Sequence, residues 1–111
     1  MLIGVPKEIK THEYRVGMTP ASIHEAVVHG HSAIVETGAG AGIGCSDADY
    51  RAAGAAIAED AQQVFAKAEL VVKVKEPQAA ERRMLGQGQI LFTYLHLAPD
   101  PEQAKELIDS G

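Results

Sequence analysis

The sequence predicts an α/β domain built on an open parallel β-sheet with helices on both faces, the doubly wound arrangement of Rossmann-like and flavodoxin-like folds. The main observation is that short β-rich runs alternate with segments of helical periodicity. The 111 residues suffice for one compact core but not for two full domains. Apolar residues make up 46% and charged residues 23% of the chain, which is ordinary for a folded domain.

The first three elements are marked by apolar runs and by helix caps. Leu2–Val5 is predicted to form the first strand, because it is short, apolar and followed by a proline. A helix is predicted over Pro20–His29, with Thr19 as its N-cap and Gly30 at its end. The apolar run in Ser32–Glu36 predicts the second strand.

Two capping patterns predict the next two helices. After the glycine-rich stretch Gly38–Gly44, Ser46 and Asp49 have capping-box spacing, which predicts a short helix that ends at Gly54. Asp60 with Gln63 repeats the pattern before a second helix. The side chains of that helix predicted to point inward are Val64, Phe65 and Ala68.

The remaining elements complete the alternation. Leu70–Val74 reads as a buried central strand, stopped by Pro77. A helix through about Leu85 and a glycine turn lead to a fourth main strand, Gln89–Tyr94. A last helix is predicted from Asp100, its N-cap, to the glycine at position 111. Because such a helix usually returns the chain to another parallel strand, we expect the chain to be a fragment of a longer protein.

Charge and cysteine content exclude several classes of function. The net charge is −5 and no basic cluster is present, so nucleic acid is not expected as a partner. No apolar run approaches membrane-spanning length and no charged leader precedes Leu2, so neither a membrane span nor a signal peptide is expected. A single cysteine, Cys45, cannot form an internal disulfide, which suits the cytoplasm. A reactive thiol at Cys45 is left open.

Polar side chains are predicted to converge at the carboxyl ends of the strands, where open α/β sheets bind ligands. A long charged segment containing Arg15 follows the first strand, Lys75 ends the central strand, and His96 follows the fourth. A guanidinium matches a carboxylate with two parallel donors, an ammonium adds a second positive charge, and an imidazole exchanges protons at neutral pH. This set predicts a pocket for a small 2-oxo or 2-amino acid.

Position alone also allows a plainer interpretation of each of these residues. Arg15 would then be a solvated loop charge, Lys75 a surface lysine whose stem covers apolar atoms, and His96 a hydrogen-bonded histidine at a strand end.

Two other motifs are interpreted as structural. Gly38–Gly44 follows a strand, but Ile43 and Cys45 stand where a dinucleotide-binding fingerprint requires its third glycine. We therefore expect no cofactor-binding residue in this chain, and a turn whose glycines permit positive φ. His29 and His31 flank a helix-ending glycine and have no carboxylate or cysteine cluster beside them, so no metal site is expected.

The whole chain resembles the amino-terminal, substrate-binding part of the alanine dehydrogenase and pyridine nucleotide transhydrogenase family. The motifs that carry the resemblance are, in order, Gly4–Lys10, Glu13–Val16, Thr19-Pro20, Gly30-His31, Glu36–Gly40, Asp49-Tyr50, Ala53–Ala55, Val72–Pro77 and Leu91–Ala98. Transhydrogenase subunits resemble the early motifs but do not keep the later Lys-Glu-Pro and Tyr-Leu-His-Leu motifs together. The resemblance therefore favours alanine dehydrogenase.

The resemblance implies NAD-dependent, reversible oxidative deamination of L-alanine to pyruvate and ammonia by a homo-oligomer. By the same resemblance, Arg15 and Lys75 hold the substrate and His96 is the catalytic acid/base. Residues 1–111 would be a portion of the substrate-binding domain, and the NAD-binding Rossmann domain and a second acidic catalytic residue would lie outside this chain. Two alternatives stay open: a non-catalytic truncated α/β module, and an alpha-subunit fragment of a transhydrogenase.

Overall fold

The computed structural model describes residues 1–10, 12–75 and 77–93. The predictions for the final helix, for Tyr94 and for His96 lie outside these residues. The described residues contain five strands: β1 Leu2–Val5, β2 Ser32–Glu36, β3 Ala56–Ala58, β4 Leu70–Val72 and β5 Ile90–Phe92. In the same residues the helices are α1 Pro20–Val28, α2 Asp47–Ala53, α3 Ala61–Lys67 and α4 Ala79–Arg82, and a 3₁₀ turn lies at Ala41–Ile43.

The strands form one parallel sheet in the order β3-β2-β1-β4-β5. This confirms the predicted fold class, and it matches the Rossmann strand order rather than the flavodoxin-like one. The chain proceeds outward from β1 to β3 and then crosses back to β4 on the other side of β1. The order therefore reverses between β1 and β4, where Gly4 is in register with Val71. A ligand crevice is expected at the carboxyl ends of these two strands.

Helices cover both faces of the sheet, as predicted. On one face, Ile23 of α1 and Tyr50 of α2 pack in a cluster with Val5 and Val35. On the other face, Val64 of α3 packs against Ile34, which directly precedes Val35 on β2. Residues 33–35 of β2 are all buried, because successive strand side chains point to opposite faces of the sheet and both faces are covered.

A glycine lets α3 lie directly on the central strand. A Cβ added to Gly4 would stand 2.5 Å from Ala68 Cβ and 2.8 Å from Val64 Cγ1, closer than side chains pack. Val64, Phe65 and Ala68 are all buried, which confirms the predicted inner face of α3. The helix lies close because no side chain separates it from the β1 backbone.

The helix caps predicted at Thr19, Ser46 and Asp60 are confirmed. The Thr19 side chain accepts a hydrogen bond from Ser22 N, Ser46 and Asp49 form a capping box, and Asp60 accepts from Gln63 N. Gly54 ends α2 in the left-handed conformation with φ 108. Local hydrogen bonding therefore defines the amino-terminal ends of α1, α2 and α3.

The structure corrects the extent of several elements. β3 was not predicted, because Ala56–Ala58 is short and carries two alanines, which have little strand preference. The strand predicted over Leu70–Val74 ends at Val72, and the one predicted over Gln89–Tyr94 is observed at Ile90–Phe92. The helix predicted through Leu85 is the single turn of α4.

Candidate functional site

The carboxylate of Glu8 joins the loop after β1 to the loop after β4, at the point where the strand order reverses. Glu8 lies in the segment after β1, and it accepts hydrogen bonds from Lys73 Nζ at 3.0 Å, Val74 N at 3.0 Å and Lys75 N at 3.1 Å. Lys73 N still donates to Phe92 O, but the next two N–H groups turn to Glu8. For this reason β4 ends at Val72 and not at Val74, where the sequence predicted its end.

Lys73 lies between two buried carboxylates. Its Nζ is 3.0 Å from Glu8 Oε1 and 2.8 Å from Glu81 Oε2, and all three side chains are at most 2% exposed. A buried charge is costly unless it is paired, so each of these groups depends on the others. The ion pairs thereby connect α4 to both loops of the crevice.

Arg15 is bound by Glu13 in a two-pronged ion pair. Glu13 Oε2 accepts from Arg15 Nε at 3.0 Å, and Glu13 Oε1 accepts from Arg15 Nη2 at 2.9 Å. The hydrogen bond from the Arg15 side chain lowers the pKa of Glu13 from its ordinary 4.5 to about 2. The same hydrogen bond raises the pKa of Arg15. Both groups are therefore charged at neutral pH.

Lys75 approaches the same carboxylate. Its Nζ lies 4.0 Å from Glu13 Oε1, and its side chain is 37% exposed. An open pocket of about 370 Å³ is lined by Glu13, Arg15 and Lys75 together with Lys10, His12 and Tyr14. The structure thus brings two of the three residues predicted to form the site, Arg15 and Lys75, into one cavity.

The third of these residues, His96, lies outside the described residues, but the end of the strand that leads to it is described. Thr93 follows β5, and its Oγ1 donates to the carbonyl oxygen of Lys75 at 2.8 Å. The carboxyl end of β5 is therefore tied to the loop that carries Lys75.

The glycine-rich stretch forms the opposite wall of the site. Gly38, Ala39, Ala41 and Gly42 line a second pocket of about 470 Å³ together with the charged segment after β1. A Cβ on Gly42 would stand 2.1 Å from the carbonyl oxygen of Tyr14, so only glycine allows this approach. Positive φ is confirmed at Gly38 and Gly44, with φ 76 and 77.

Asp47 holds the start of this glycine-rich stretch. Its carboxylate accepts hydrogen bonds from Thr37 Oγ1 at 2.5 Å and from Gly38 N at 2.9 Å. The hydrogen bond from Thr37 is the main cause that lowers the pKa of Asp47. A charged Asp47 at the start of α2 therefore fixes the loop relative to that helix.

Sequence reasoning missed Glu8 and Glu13 as members of the site. Both lie in the charged segment that the sequence singles out. Glu13 stands two residues before Arg15, the cation that it binds, and that proximity was the available signal. Glu8 binds Lys73, 65 residues away, so its neighbours in the sequence gave no such signal.

The histidines at the end of α1 lie away from this crevice. Gly30 has φ 91, and His29 Nε2 is paired with Glu25 Oε1 at 2.9 Å. Within residues 1–10, 12–75 and 77–93, no group of three or more histidine, cysteine or acidic residues is arranged to hold a metal ion. In the same ranges, no helix has both the length and the apolar character needed to cross a membrane.

Comparison with known proteins identifies the family. The model of the alanine dehydrogenase/PNT N-terminal domain matches residues 4–111. The chain belongs to this family. An alanine dehydrogenase from Halomonas elongata is 55% identical over 111 residues, which are 100% of this chain and 30% of that protein. The family assignment therefore covers the whole crevice described above.

Two solved structures separate the branches of the alanine dehydrogenase/PNT family. One described as an L-alanine dehydrogenase matches 100% of this chain and 30% of its own, with a TM-score of 0.96 and 48% identity. A transhydrogenase from Sinorhizobium meliloti matches 100% of this chain and 33% of its own, with a TM-score of 0.92 and 25% identity. This chain shares its fold with both structures, and both the TM-score and the sequence identity are higher for the first.

Proposed function

We propose that this chain is the substrate-binding portion of an NAD-dependent alanine dehydrogenase that interconverts L-alanine and pyruvate. The observation that carries the proposal is that Arg15 and Lys75, from loops after β1 and β4, meet at one carboxylate in one pocket. The chain spans about 30% of the length of the curated relatives it matches, so the activity belongs to a longer protein.

Arg15 and Lys75 would anchor the substrate. The Arg15 side chain is 65% exposed, so a carboxylate can reach its guanidinium from solvent. A charge-assisted hydrogen bond of this kind contributes roughly 1.5–3 kcal/mol. Lys75 would bind either the same carboxylate or the oxygen on C2 of pyruvate, as a compact positive charge.

His96 would act as the acid/base. In deamination, water would add to the iminium formed from alanine, with one proton of the water passing to nitrogen. His96 would then take the proton of the remaining hydroxyl as ammonia leaves and pyruvate forms. In the reverse direction it would return that proton to the carbonyl oxygen. A histidine suits both directions because its ordinary pKa is about 6.5.

Oxidation of alanine at Cα needs a hydride acceptor, which would be NAD bound by a Rossmann domain outside this chain. This proposal is supported by the packing of the glycine-rich stretch, in which a Cβ on Gly40 would stand 2.6 Å from Tyr50 Cε2 and one on Gly42 would stand 2.1 Å from Tyr14 O. Homo-oligomerisation and a cytoplasmic location belong to the same proposal. The resemblance supports homo-oligomerisation, and the single cysteine supports the cytoplasmic location.

The test is an assay of the complete enzyme with Arg15→Lys, Lys75→Met and His96→Ala variants. We expect the first two to raise KM for pyruvate and the third to lower kcat by about 100-fold or more. Near-normal turnover of His96→Ala would remove its assigned role. Hydride transfer between nucleotides, with reduction of NAD that needs no alanine, would be a different outcome. It would point to the transhydrogenase branch.

A further inference from the structure

The guanidinium of Arg15 is held by one of its two edges. Glu13 binds the Nε and Nη2 side through two hydrogen bonds of 3.0 and 2.9 Å. An arginine side chain has five N–H donors, and this pair uses two of them. In the part of the chain that the structure describes, the second edge, formed by Nη1 and Nη2, has no side-chain partner. A second carboxylate can therefore bind there.

The two partners of this ion pair differ sharply in burial. The Glu13 side chain is 5% exposed, whereas the Arg15 side chain is 65% exposed. A long exposed side chain loses rotamer entropy when it is fixed by a ligand. Since the buried partner already fixes Arg15, less of that loss falls on ligand binding.

Glu13 is itself fixed by the backbone around it. Its N–H donates to Lys10 O at 3.0 Å, and its Oε2 also accepts from Arg15 N at 2.9 Å. His12, directly before it, has φ 63, a left-handed conformation that is uncommon outside glycine. Such backbone conformations cluster at ligand sites, where the surrounding structure holds them in place.

Lys75 completes the arrangement from the other side of the crevice. Its Nζ is 4.0 Å from Glu13 Oε1, the oxygen that also binds Arg15 Nη2. One buried carboxylate thus lies next to both cations. Without it, the two positive charges would repel each other and separate.

We propose that Glu13 is a positioning residue for substrate: it presents the free edge of Arg15 to the substrate carboxylate and sets the spacing between Arg15 and Lys75. The proposal rests on the proposed function, in which these two cations bind pyruvate and L-alanine. It assigns to Glu13 no contact with the reacting atoms.

Kinetics of the complete enzyme with Glu13→Gln test this role. A glutamine keeps the size of the side chain but provides one acceptor oxygen and no charge. We expect KM for pyruvate to rise about tenfold or more while kcat changes by less than about threefold, the signature of weakened substrate binding. Glu13→Asp keeps the charge but shortens the reach, so its KM should lie between those of wild type and Glu13→Gln. Glu25→Gln, which removes an exposed carboxylate paired with His29, is the matched control and should leave KM unchanged.

A double-mutant cycle with Arg15→Lys separates positioning from a general loss of stability. If Glu13 acts through Arg15, adding Glu13→Gln to Arg15→Lys should raise KM much less than it does in wild type. Additive effects on KM, or a lower melting temperature with unchanged KM, would overturn the inference. If Arg15→Lys leaves KM unchanged, the proposed function of Arg15 is itself wrong. If Arg15→Lys raises KM but Glu13→Gln and Glu13→Asp do not, only the role of Glu13 is wrong.

Discussion

The ammonium of Lys73 lies 3.0 Å from the carboxylate of Glu8, and both side chains are only 1% exposed. The two residues are 65 positions apart, and they join the loop after β1 to the loop after β4. Replacing a buried ion pair by apolar residues is often neutral or stabilising, so stability alone does not explain such a pair. Here its consequence is geometric, because the same carboxylate binds the N–H of Lys75.

Lys73→Met should destabilise the protein strongly. It leaves the carboxylates of Glu8 and Glu81 buried without a cation, which costs about 3–5 kcal/mol for a broken buried pair. Denaturant unfolding of the complete enzyme measures the effect. Lys67→Met, at an exposed position on α3, is the control and should shift the midpoint little. Adding Glu81→Gln to Lys73→Met should recover part of the lost stability. An unfolding midpoint of Lys73→Met equal to that of wild type would contradict the prediction.

Gly42→Ala should disturb the pocket from its far wall. The added methyl group would stand 2.1 Å from Tyr14 O, so the backbone between Glu13 and Arg15 must shift. We expect a loss of about 1–3 kcal/mol, typical of overpacking, together with a higher KM for pyruvate. Gly86→Ala is the matched control, since its methyl group would meet only Gln89 Oε1 at 3.8 Å. Equal KM values for the two variants would show that the glycine-rich stretch does not shape the site.

Local sequence signals predicted the elements whose ends are set locally. The bounds of β1 and β2 match the prediction, and the caps at Thr19, Ser46 and Asp60 start helices where expected. β3 could not be predicted in this way. Ala56–Ala58 becomes a strand through its pairing with β2, which depends on how the sheet assembles.

The candidate site was predictable only in part for a similar reason. The carboxyl ends of parallel strands lie at the same edge of the sheet, and this rule predicts the proximity of Arg15 and Lys75. The position of the loop that carries Lys75 depends on packing between distant segments, as in the hydrogen bond from Lys75 N to the carboxylate of Glu8, 67 residues away. Sequence spacing carries no direct signal for such a contact.

Acid should weaken the contribution of Glu13 to stability. The hydrogen bond from the Arg15 side chain lowers the pKa of Glu13 from 4.5 to about 2 in the folded protein. A lowered folded-state pKa means that the contribution is fully present above about pH 4.5 and is lost as the pH falls towards 2. Melting temperatures of the complete enzyme and of Glu13→Gln, measured between these values, should converge as the pH falls. A difference that stays constant over this range would argue against the ion pair.

Glu36 should show the opposite dependence on pH. Burial of this carboxyl group raises its pKa above the ordinary 4.5, although the N–H of Lys7 donates to it at 2.9 Å. A raised folded-state pKa means that ionisation favours the unfolded chain, so Glu36 costs stability once the pH exceeds its ordinary value. Glu36→Gln keeps an acceptor for Lys7 N and removes the charge. We therefore expect it to raise the melting temperature at pH 7 and to have little effect near pH 4, where the carboxyl group is largely protonated. Equal or lower stability of Glu36→Gln at pH 7 would show that the hydrogen bond from Lys7 outweighs the burial of the charge.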